Sequence, residues 1–133
     1  MKKIILLSAL LFTAAIFVSI SATEDIVNNT IPGNEKYVVP EDVQAILDNK
    51  CFDCHNSKSK NLKGKMKLKF DKMANLKTHK LLGKLDDISE IVTEGKMPPK
   101  KAVKKYPDLK LTADEVKTLS NWSKGLISKI AGE

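Results

Sequence analysis

The stretch CFDCH, residues 51–55, contains both cysteines and one of the two histidines of a 133-residue chain. Two cysteines three positions apart, with a histidine directly after the second, are typical of covalent haem attachment. In such a site each thiol forms a thioether with one vinyl group of the haem, and the histidine becomes the proximal ligand of the iron. The motif therefore predicts one haem c, attached through Cys51 and Cys54 and ligated by His55.

Three other interpretations of CFDCH remain open. A structural zinc site needs four Cys or His ligands, and the chain offers only these three and the remote His79. A thioredoxin-like redox pair shares the C-x-x-C spacing but expects a βαβ surround, which the sequence lacks. A disulfide between Cys51 and Cys54 closes a very short loop and stabilises a fold little. Haem attachment is favoured because it accounts for two thiols and an adjacent imidazole without requiring a fourth ligand or a βαβ surround.

A second candidate ligand lies in GKMPP, residues 95–99. A thioether is a soft ligand, and a Met/His pair raises the reduction potential of a haem iron, which suits electron transfer. Pro98 and Pro99 prevent a helix from continuing and stiffen the backbone that presents the sulfur. We therefore predict Met97 as the distal ligand, and the alternative is an ordinary packing methionine.

The other candidate ligands have simpler interpretations. We expect Met66 and Met73 to be packing residues, which is the usual role of methionine. His79, in KTHKLL, is expected to be a helical or surface histidine. Its alternative role is to coordinate the iron in place of Met97.

The N-terminus predicts export. Residues 1–22 begin with a basic pair, continue with an apolar run to Ile20 and end in small residues, which is the pattern of a secretory signal peptide. The alternative is a membrane anchor that is not cleaved, because the length of the apolar run is close to the minimum for a membrane-spanning helix. Residues 23–38 are expected to be a flexible leader, and residues 39–133 the domain. We expect the domain in the periplasm or on the outer face of the cytoplasmic membrane.

Hydrophobic periodicity in the domain predicts helices without an alternation of strands and helices. PEDVQAILDNK begins at Pro40 with acids in its first turn, and LDDISEIVTEG ends at Gly95. LTADEVKTLSNWSKGLISKI has Thr112 as its N-cap and Glu115 three residues later, a capping box. KMKLKF, residues 65–70, alternates strictly, so it is either a short extended segment or a solvated loop with apolar anchors. The prediction is one small all-α domain.

The charge pattern restricts the partners. All 23 basic residues are lysine and the formal net charge is +7. The absence of arginine argues against base readout in nucleic acid, where its planar fork is the favoured group. We expect instead a solvated lysine surface that can face an acidic redox partner. The lysines flanking the predicted distal ligand either steer such a partner or only keep a loop solvated: Lys96, Lys100, Lys101, Lys104 and Lys105.

Taken together, these stretches resemble the exported haem-binding-domain family of small monohaem c-type cytochromes, which look like class I cytochromes c. The resemblance covers residues 39–123 and rests on VPEDVQAILDNKCFDCH, KLDDISEIVTEGKMPP and DLKLTADEVKTLSNW. It implies N- and C-terminal helices packed around one covalently bound haem. It also implies attachment by Cys51 and Cys54, with His55 as proximal and Met97 as distal ligand. The chain departs from the family in NSKSKNLKGKMKLKF, where members usually carry a longer, aromatic-rich segment.

The expected function is single-electron transfer by a monomer outside the cytoplasm. The sequence shows no carboxylate pair, no nucleophile with a base and no phosphate-binding glycine loop, so we do not expect an enzyme. Two alternatives stay open. In a gas-binding sensor a small molecule displaces Met97, and in a weak peroxidase the sixth position is open and His79 acts as the acid–base group.

Overall fold

The computed structural model describes residues 37–132, and these form helices with no strand among them. The prediction of an all-α fold is confirmed for this part of the chain. The expected signal peptide and residues 23–36 of the expected leader lie outside the described residues. Five α-helices are present there, with 3₁₀-helices at Phe70–Asn75 and Pro107–Leu109: α1 Glu41–Lys50, α2 Leu62–Lys67, α3 Thr78–Thr93, α4 Lys100–Lys105 and α5 Ala113–Ala131.

Helices α3 and α5 form the most extensive helix contact in the fold. Each presents apolar residues at three- and four-residue spacing, which places them on one side of the helix. Such burial contributes roughly 1.5–3 kcal/mol for each fully buried large aliphatic side chain. The buried apolar residues are Leu81, Leu85, Ile88 and Val92 on α3, and Leu119, Trp122, Leu126 and Ile130 on α5.

Both ends of α5 are determined locally. At its start, Thr112 Oγ1 accepts a hydrogen bond from the Glu115 amide at 3.1 Å. Glu115 Oε2 accepts one from the Thr112 amide at 2.8 Å, so the predicted capping box is confirmed. At its end, Gly132 adopts a φ of 84°, the left-handed conformation in which glycine is favoured.

Helix α1 also contacts α5. It begins after Pro40, with Glu41 and Asp42 in the first turn as predicted, and buries Val43 and Leu47. These two residues are four positions apart and therefore lie on the same side of the helix.

The packed part of the chain includes the last two residues of the expected leader. The Tyr37 ring meets the Trp122 ring edge to face, with 6.1 Å between the ring centroids. The indole Nε1 of Trp122 donates a hydrogen bond to the Val38 carbonyl at 3.0 Å. Tyr37 is buried, and its burial raises the pKa of the phenol.

Neither the extended segment nor the loop considered for residues 65–70 is correct for the whole stretch, because only Leu68 and Lys69 have extended backbone. Its first half belongs to α2, because the Asn61 side chain accepts a hydrogen bond from the Gly64 amide and caps a helix there. Its last residue, Phe70, is buried and starts a 3₁₀-helix. Met73 is fully buried as expected, but Met66 is 83% exposed, so the expectation that Met66 packs is also wrong.

None of the helices between residues 37 and 132 combines the length and the hydrophobicity that a membrane span requires.

Candidate functional site

An apolar cavity of about 420 Å³ lies beside the CFDCH motif. Its lining includes all four residues predicted from the sequence: Cys51, Cys54, His55 and Met97. Aliphatic side chains from α3 and α5 form much of the remaining wall, among them Ile88, Ile91, Val92 and Leu119. Pockets for small molecules and cofactors usually have volumes of about 300–1,000 Å³ and mostly apolar walls. The cavity has the size and polarity of a cofactor site.

The motif itself forms a compact turn at the end of α1. The Cys51 amide donates to the Leu47 carbonyl at 2.9 Å and so continues the hydrogen bonding of the helix. The amides of Cys54 and His55 both donate to the Cys51 carbonyl, at 3.1 and 3.0 Å. This turn brings two thiols and an imidazole, adjacent in sequence, to one cavity wall.

Both thiols are free and partly buried. Burial raises the pKa of Cys51 to about 12, and the neighbouring Cys54 and Glu115 act in the same direction. Lys50 opposes this shift but does not overcome it. The Cys51 thiol is therefore neutral at physiological pH, and the cavity wall carries no thiolate charge at this position.

The ring of His55 is held by contacts on two sides. Its Nδ1 lies 3.0 Å from the Gly64 carbonyl oxygen, and in the tautomer with a proton on Nδ1 this atom donates to that oxygen. The other nitrogen, Nε2, then keeps its lone pair for a metal, which is the usual arrangement of a metal-bound histidine. Phe70 meets the imidazole edge to face, with 6.3 Å between the ring centroids. The imidazole is thus oriented before any metal is bound.

Gly64 is a site residue that the sequence analysis missed. A Cβ atom built on Gly64 would lie 2.4 Å from the Cys54 carbonyl oxygen, a distance that no side chain tolerates. Only glycine therefore allows α2 to approach the motif closely enough to accept the hydrogen bond from His55. The sequence signal was a single glycine within a lysine-rich run soon after the motif, and its meaning depends on the tertiary contact.

Met97 lies directly after a helix end of defined geometry. Gly95 has a φ of 65°, its amide donates to the Val92 carbonyl, and the Lys96 amide donates to the Ile91 carbonyl. This pair of hydrogen bonds is a Schellman motif, which ends α3 and reverses the chain. Met97 is partly buried on the cavity wall, next to Pro98 and Pro99. The predicted stop at Gly95 is confirmed, and it delivers the thioether to the cavity.

Lys50 closes one edge of the same cavity and was also missed. Its Nζ donates to the carbonyl of Asp108 and lies 3.4 Å from that of Lys110. It also forms an ion pair with Glu115 at 3.8 Å. The segment that Lys50 fastens contributes Leu109 and Leu111 to the cavity wall.

His79 is exposed in the first turn of α3 and does not line the cavity. Within residues 37–132 there is no group of three or more His, Cys, Asp or Glu side chains placed to hold a metal ion. Of the sulfur and nitrogen ligands considered from the sequence, the structure brings together Cys51, Cys54, His55 and Met97. It leaves out His79.

The residues at the cavity fit a haem. The two thiols match its two vinyl groups, and an oriented imidazole and a thioether are ligands that haem iron accepts. The surrounding wall is apolar, as the macrocycle requires.

Comparison with known families agrees with haem binding. The haem-binding domain family matches residues 57–125, which is more than half of the chain. The matched range includes Met97 and begins two residues after His55. No match was found among curated proteins or among solved structures. The chain belongs to the haem-binding domain family.

Proposed function

We propose that this protein is a monohaem c-type cytochrome that carries single electrons outside the cytoplasm. The observation that carries the proposal is the arrangement of one apolar cavity, whose wall contains two free thiols, an oriented imidazole and a thioether. Membership of the haem-binding domain family supports the cofactor. Covalent attachment, His55/Met97 ligation and the extracytoplasmic location belong to the proposal.

Each site residue has a defined role in it. Cys51 and Cys54 anchor the cofactor, His55 and Met97 ligate the metal, and Gly64 keeps the His55 ring in the required orientation. When bound, the haem supplies an iron that cycles between the ferrous and ferric states. The aliphatic wall excludes water from the site, which is one means by which a protein adjusts a reduction potential.

The groups that line the cavity are consistent with electron transport and supply no support for catalysis. A peroxidase requires a distal acid–base group near the metal. His79 is the only other histidine in the chain, and it is exposed on α3 outside the cavity lining. The peroxidase alternative therefore gains no support from the site, and we propose a carrier that acts with protein redox partners.

The location rests on residues 1–22, whose composition is typical of a signal peptide. If that segment is retained, it tethers the same electron carrier to the membrane. The chemistry proposed for the cavity is the same in both cases.

The test is the visible absorption spectrum of the exported protein, oxidised and reduced, from a host able to attach haem. We expect sharp reduced bands and the weak long-wavelength ferric band that marks sulfur ligation. Haem should remain with the chain after denaturation. Met97→Ala should abolish the ferric band and lower the reduction potential, because a thioether favours ferrous iron.

Met66→Ala is the matched control, since Met66 is exposed and away from the cavity lining. It should retain the band. A wild-type haem protein that lacks the band, or whose ferrous form readily binds carbon monoxide, would contradict His/Met ligation and favour the gas-sensor alternative. A chain without covalently bound haem would overturn the cytochrome proposal.

A further inference from the structure

We propose that the outer side of α2 is the docking surface for an acidic electron-transfer protein, and that electrons enter the site from this side. The surface, called the α2 face below, consists of Leu62 and Met66 with the neighbouring Lys60 and Lys63. The inference rests on the proposed function and adds to it the partner chemistry and the place of contact.

The α2 face has an apolar centre. Leu62 is 65% exposed and Met66 is 83% exposed. They are four positions apart on one helix, so they are neighbours on its surface. Single exposed apolar residues are ordinary, but an adjacent pair next to a functional site is typical of a binding surface. Methionine also adapts its shape to different partners.

The charge around this centre has one sign. Between residues 58 and 69 there are six lysines and no acidic residue. The ion pairs found in the described part of the chain involve Lys50, Lys84 and Lys96, so no lysine of this segment has its charge paired there. An unneutralised basic surface accelerates association with an acidic protein and fixes its orientation.

Two lysines on and near α4 contact other side chains, unlike the lysines around α2 in the described part of the chain. Lys96 forms an ion pair with Glu94 at 2.5 Å. The ammonium group of Lys105 lies 5.0 Å from the centroid of the Tyr106 ring, within cation–π range. The ion pair offsets the charge of Lys96, whereas Lys105 keeps its charge. This second basic region exposes one large apolar side chain, Tyr106 at 54%, against two on the α2 face, and this difference favours the α2 face.

The α2 face shares a helix with Gly64, the residue that contacts the proposed iron ligand His55. Gly64, on the inner side of the same helix, lies against the Cys54 carbonyl and accepts the hydrogen bond of His55 at 3.0 Å. A partner seated on Leu62 and Met66 is therefore connected to the His55 imidazole through the backbone of one turn of helix. Short paths through bonds and hydrogen bonds favour electron transfer over paths through space.

A protein partner fits the α2 face better than a membrane surface. Helix α2 has six residues and exposes two large apolar side chains. Amphipathic helices that lie in membranes bury a longer apolar side with aromatic or leucine residues. A small apolar centre within a charged surface is instead typical of brief redox encounters, which bury less than about 1,200 Å².

The experiment uses the haem-loaded protein and a flavodoxin, an acidic one-electron flavoprotein, as the probe. Binding to oxidised flavodoxin is measured by surface plasmon resonance at about 20 mM and about 500 mM salt, so that no electron transfer is involved. Reduction by flavodoxin semiquinone is then followed by stopped flow. Oxidation by hexacyanoferrate(III) provides the small-molecule reference.

Three double variants separate the contributions. Leu62→Ser/Met66→Ser removes the apolar centre, and Lys60→Glu/Lys63→Glu reverses the charge beside it. Lys101→Glu/Lys104→Glu makes the same charge change on α4. All six side chains are exposed, so folding should be unaffected.

We expect Lys60→Glu/Lys63→Glu to weaken binding and slow electron transfer about tenfold at low salt, with a smaller effect at high salt. Leu62→Ser/Met66→Ser should weaken binding about tenfold at both salt concentrations and leave the hexacyanoferrate rate within about twofold of wild type. The α4 variant should stay within about twofold of wild type for flavodoxin binding.

An equal or larger loss in the α4 variant would move the docking surface to the distal loop and overturn the proposal. So would unchanged flavodoxin binding in Leu62→Ser/Met66→Ser together with lost binding to phosphatidylcholine vesicles containing about a quarter phosphatidylglycerol, which would indicate a membrane surface. A wild type that reacts with hexacyanoferrate but does not bind flavodoxin refutes only the docking proposal. A wild type that exchanges electrons with neither refutes the electron carrier as well.

Discussion

At the scale of single residues, the orientation of the His55 ring depends on a neighbour without a side chain. Gly64 supplies the carbonyl that lies 3.0 Å from Nδ1, and the close approach to Cys54 excludes a Cβ atom at this position. We expect Gly64→Ala to lower the free energy of unfolding by about 1–3 kcal/mol, the usual cost of overpacking. It should also change the reduction potential, because α2 must move away from His55. Urea unfolding and redox titration measure the two effects.

Gly83→Ala is the control for this prediction. Gly83 lies inside α3, and nothing is within 4 Å of the position its Cβ would occupy. Alanine there should raise the stability by about 0.5–1 kcal/mol, since it forms helix better than glycine. Equal stability of Gly64→Ala and the wild type would show that α2 is not held against the motif.

The loop after His55 is fastened by one carboxylate. Asp71 accepts hydrogen bonds from the Ser57 amide, at 2.9 Å, and from the Ser57 hydroxyl. Burial opposes ionisation of Asp71, but these hydrogen bonds outweigh it and lower the pKa of the carboxyl. The contribution to stability is therefore present above the unfolded-state pKa of about 3.9 and is lost as the pH falls through the lower folded value.

We expect Ser57→Ala to raise the pKa of Asp71 towards its ordinary value. The variant should lose about 1 kcal/mol of stability at neutral pH, the typical net value of such a hydrogen bond. At a pH low enough to protonate Asp71 in both states, it should resemble the wild type more closely. NMR titration of the carboxyl and urea unfolding at both pH values test this. A loss of the same size at both pH values would contradict the role of the Asp71 charge.

At the scale of helices, the α3–α5 contact contains a polar pair. The hydroxyls of Ser89 and Ser120 are buried and lie 2.9 Å apart. Ser89→Ala should cost about 1–3 kcal/mol, because the Ser120 hydroxyl is then buried without a partner. The double variant Ser89→Ala/Ser120→Ala should recover part of that loss. Chemical unfolding of the single and double variants in a mutant cycle measures the coupling.

Ser123 provides the matched control on α5. Its Oγ is buried and has no hydrogen-bond partner within the described part of the chain. Ser123→Ala should therefore be neutral or slightly stabilising, since it removes a polar atom without breaking a hydrogen bond. A cost in Ser123→Ala similar to that in Ser89→Ala would assign both effects to packing.

At the scale of the whole molecule, the cavity joins parts of the chain that are far apart in sequence. Its wall combines Cys51 after α1, Lys67 of α2, Met97 after α3, Ala102 of α4 and Leu119 of α5. The cavity is partly open to solvent, so without a haem its apolar wall, which includes Ile88, Ile91 and Val92, is in contact with water. The entire stability of a small domain is only about 5–15 kcal/mol, so apolar surface left uncovered in its centre is a large loss.

We therefore expect the haem-free chain to lose cooperative folding. Cys51→Ser/Cys54→Ser, and the wild-type chain made without haem attachment, should both show reduced helicity and a broad thermal transition compared with the loaded protein. Circular dichroism melting provides the measurement. A haem-free chain that melts as sharply, and at the same temperature, as the loaded protein would show that the cavity is not a site on which the fold depends.

Several elements could be predicted because their signals are local. The capping box of Thr112 and Glu115 and the stop at Gly95 involve residues three to five positions apart. The start of α1 after Pro40 could be predicted in the same way, because its signal is Pro40 with the acidic residues that follow it. The alternation in residues 65–70 gave the wrong result, because a cap from Asn61 and the approach of Gly64 to Cys54 favour a helix there. A pattern of hydrophobicity does not contain either contact.

The sequence by itself determined which groups meet at the motif, because the spacing in CFDCH brings two thiols and an imidazole together within one turn. It also determined the helical class of the fold through periodicity and caps. The tertiary structure placed Met97 on the cavity wall, as the sequence had predicted, and it alone decided that Gly64 orients His55 and that Met66 is exposed. The reason is physical, since these last two results depend on how separate helices pack, and packing distances between remote residues are not encoded in any local pattern.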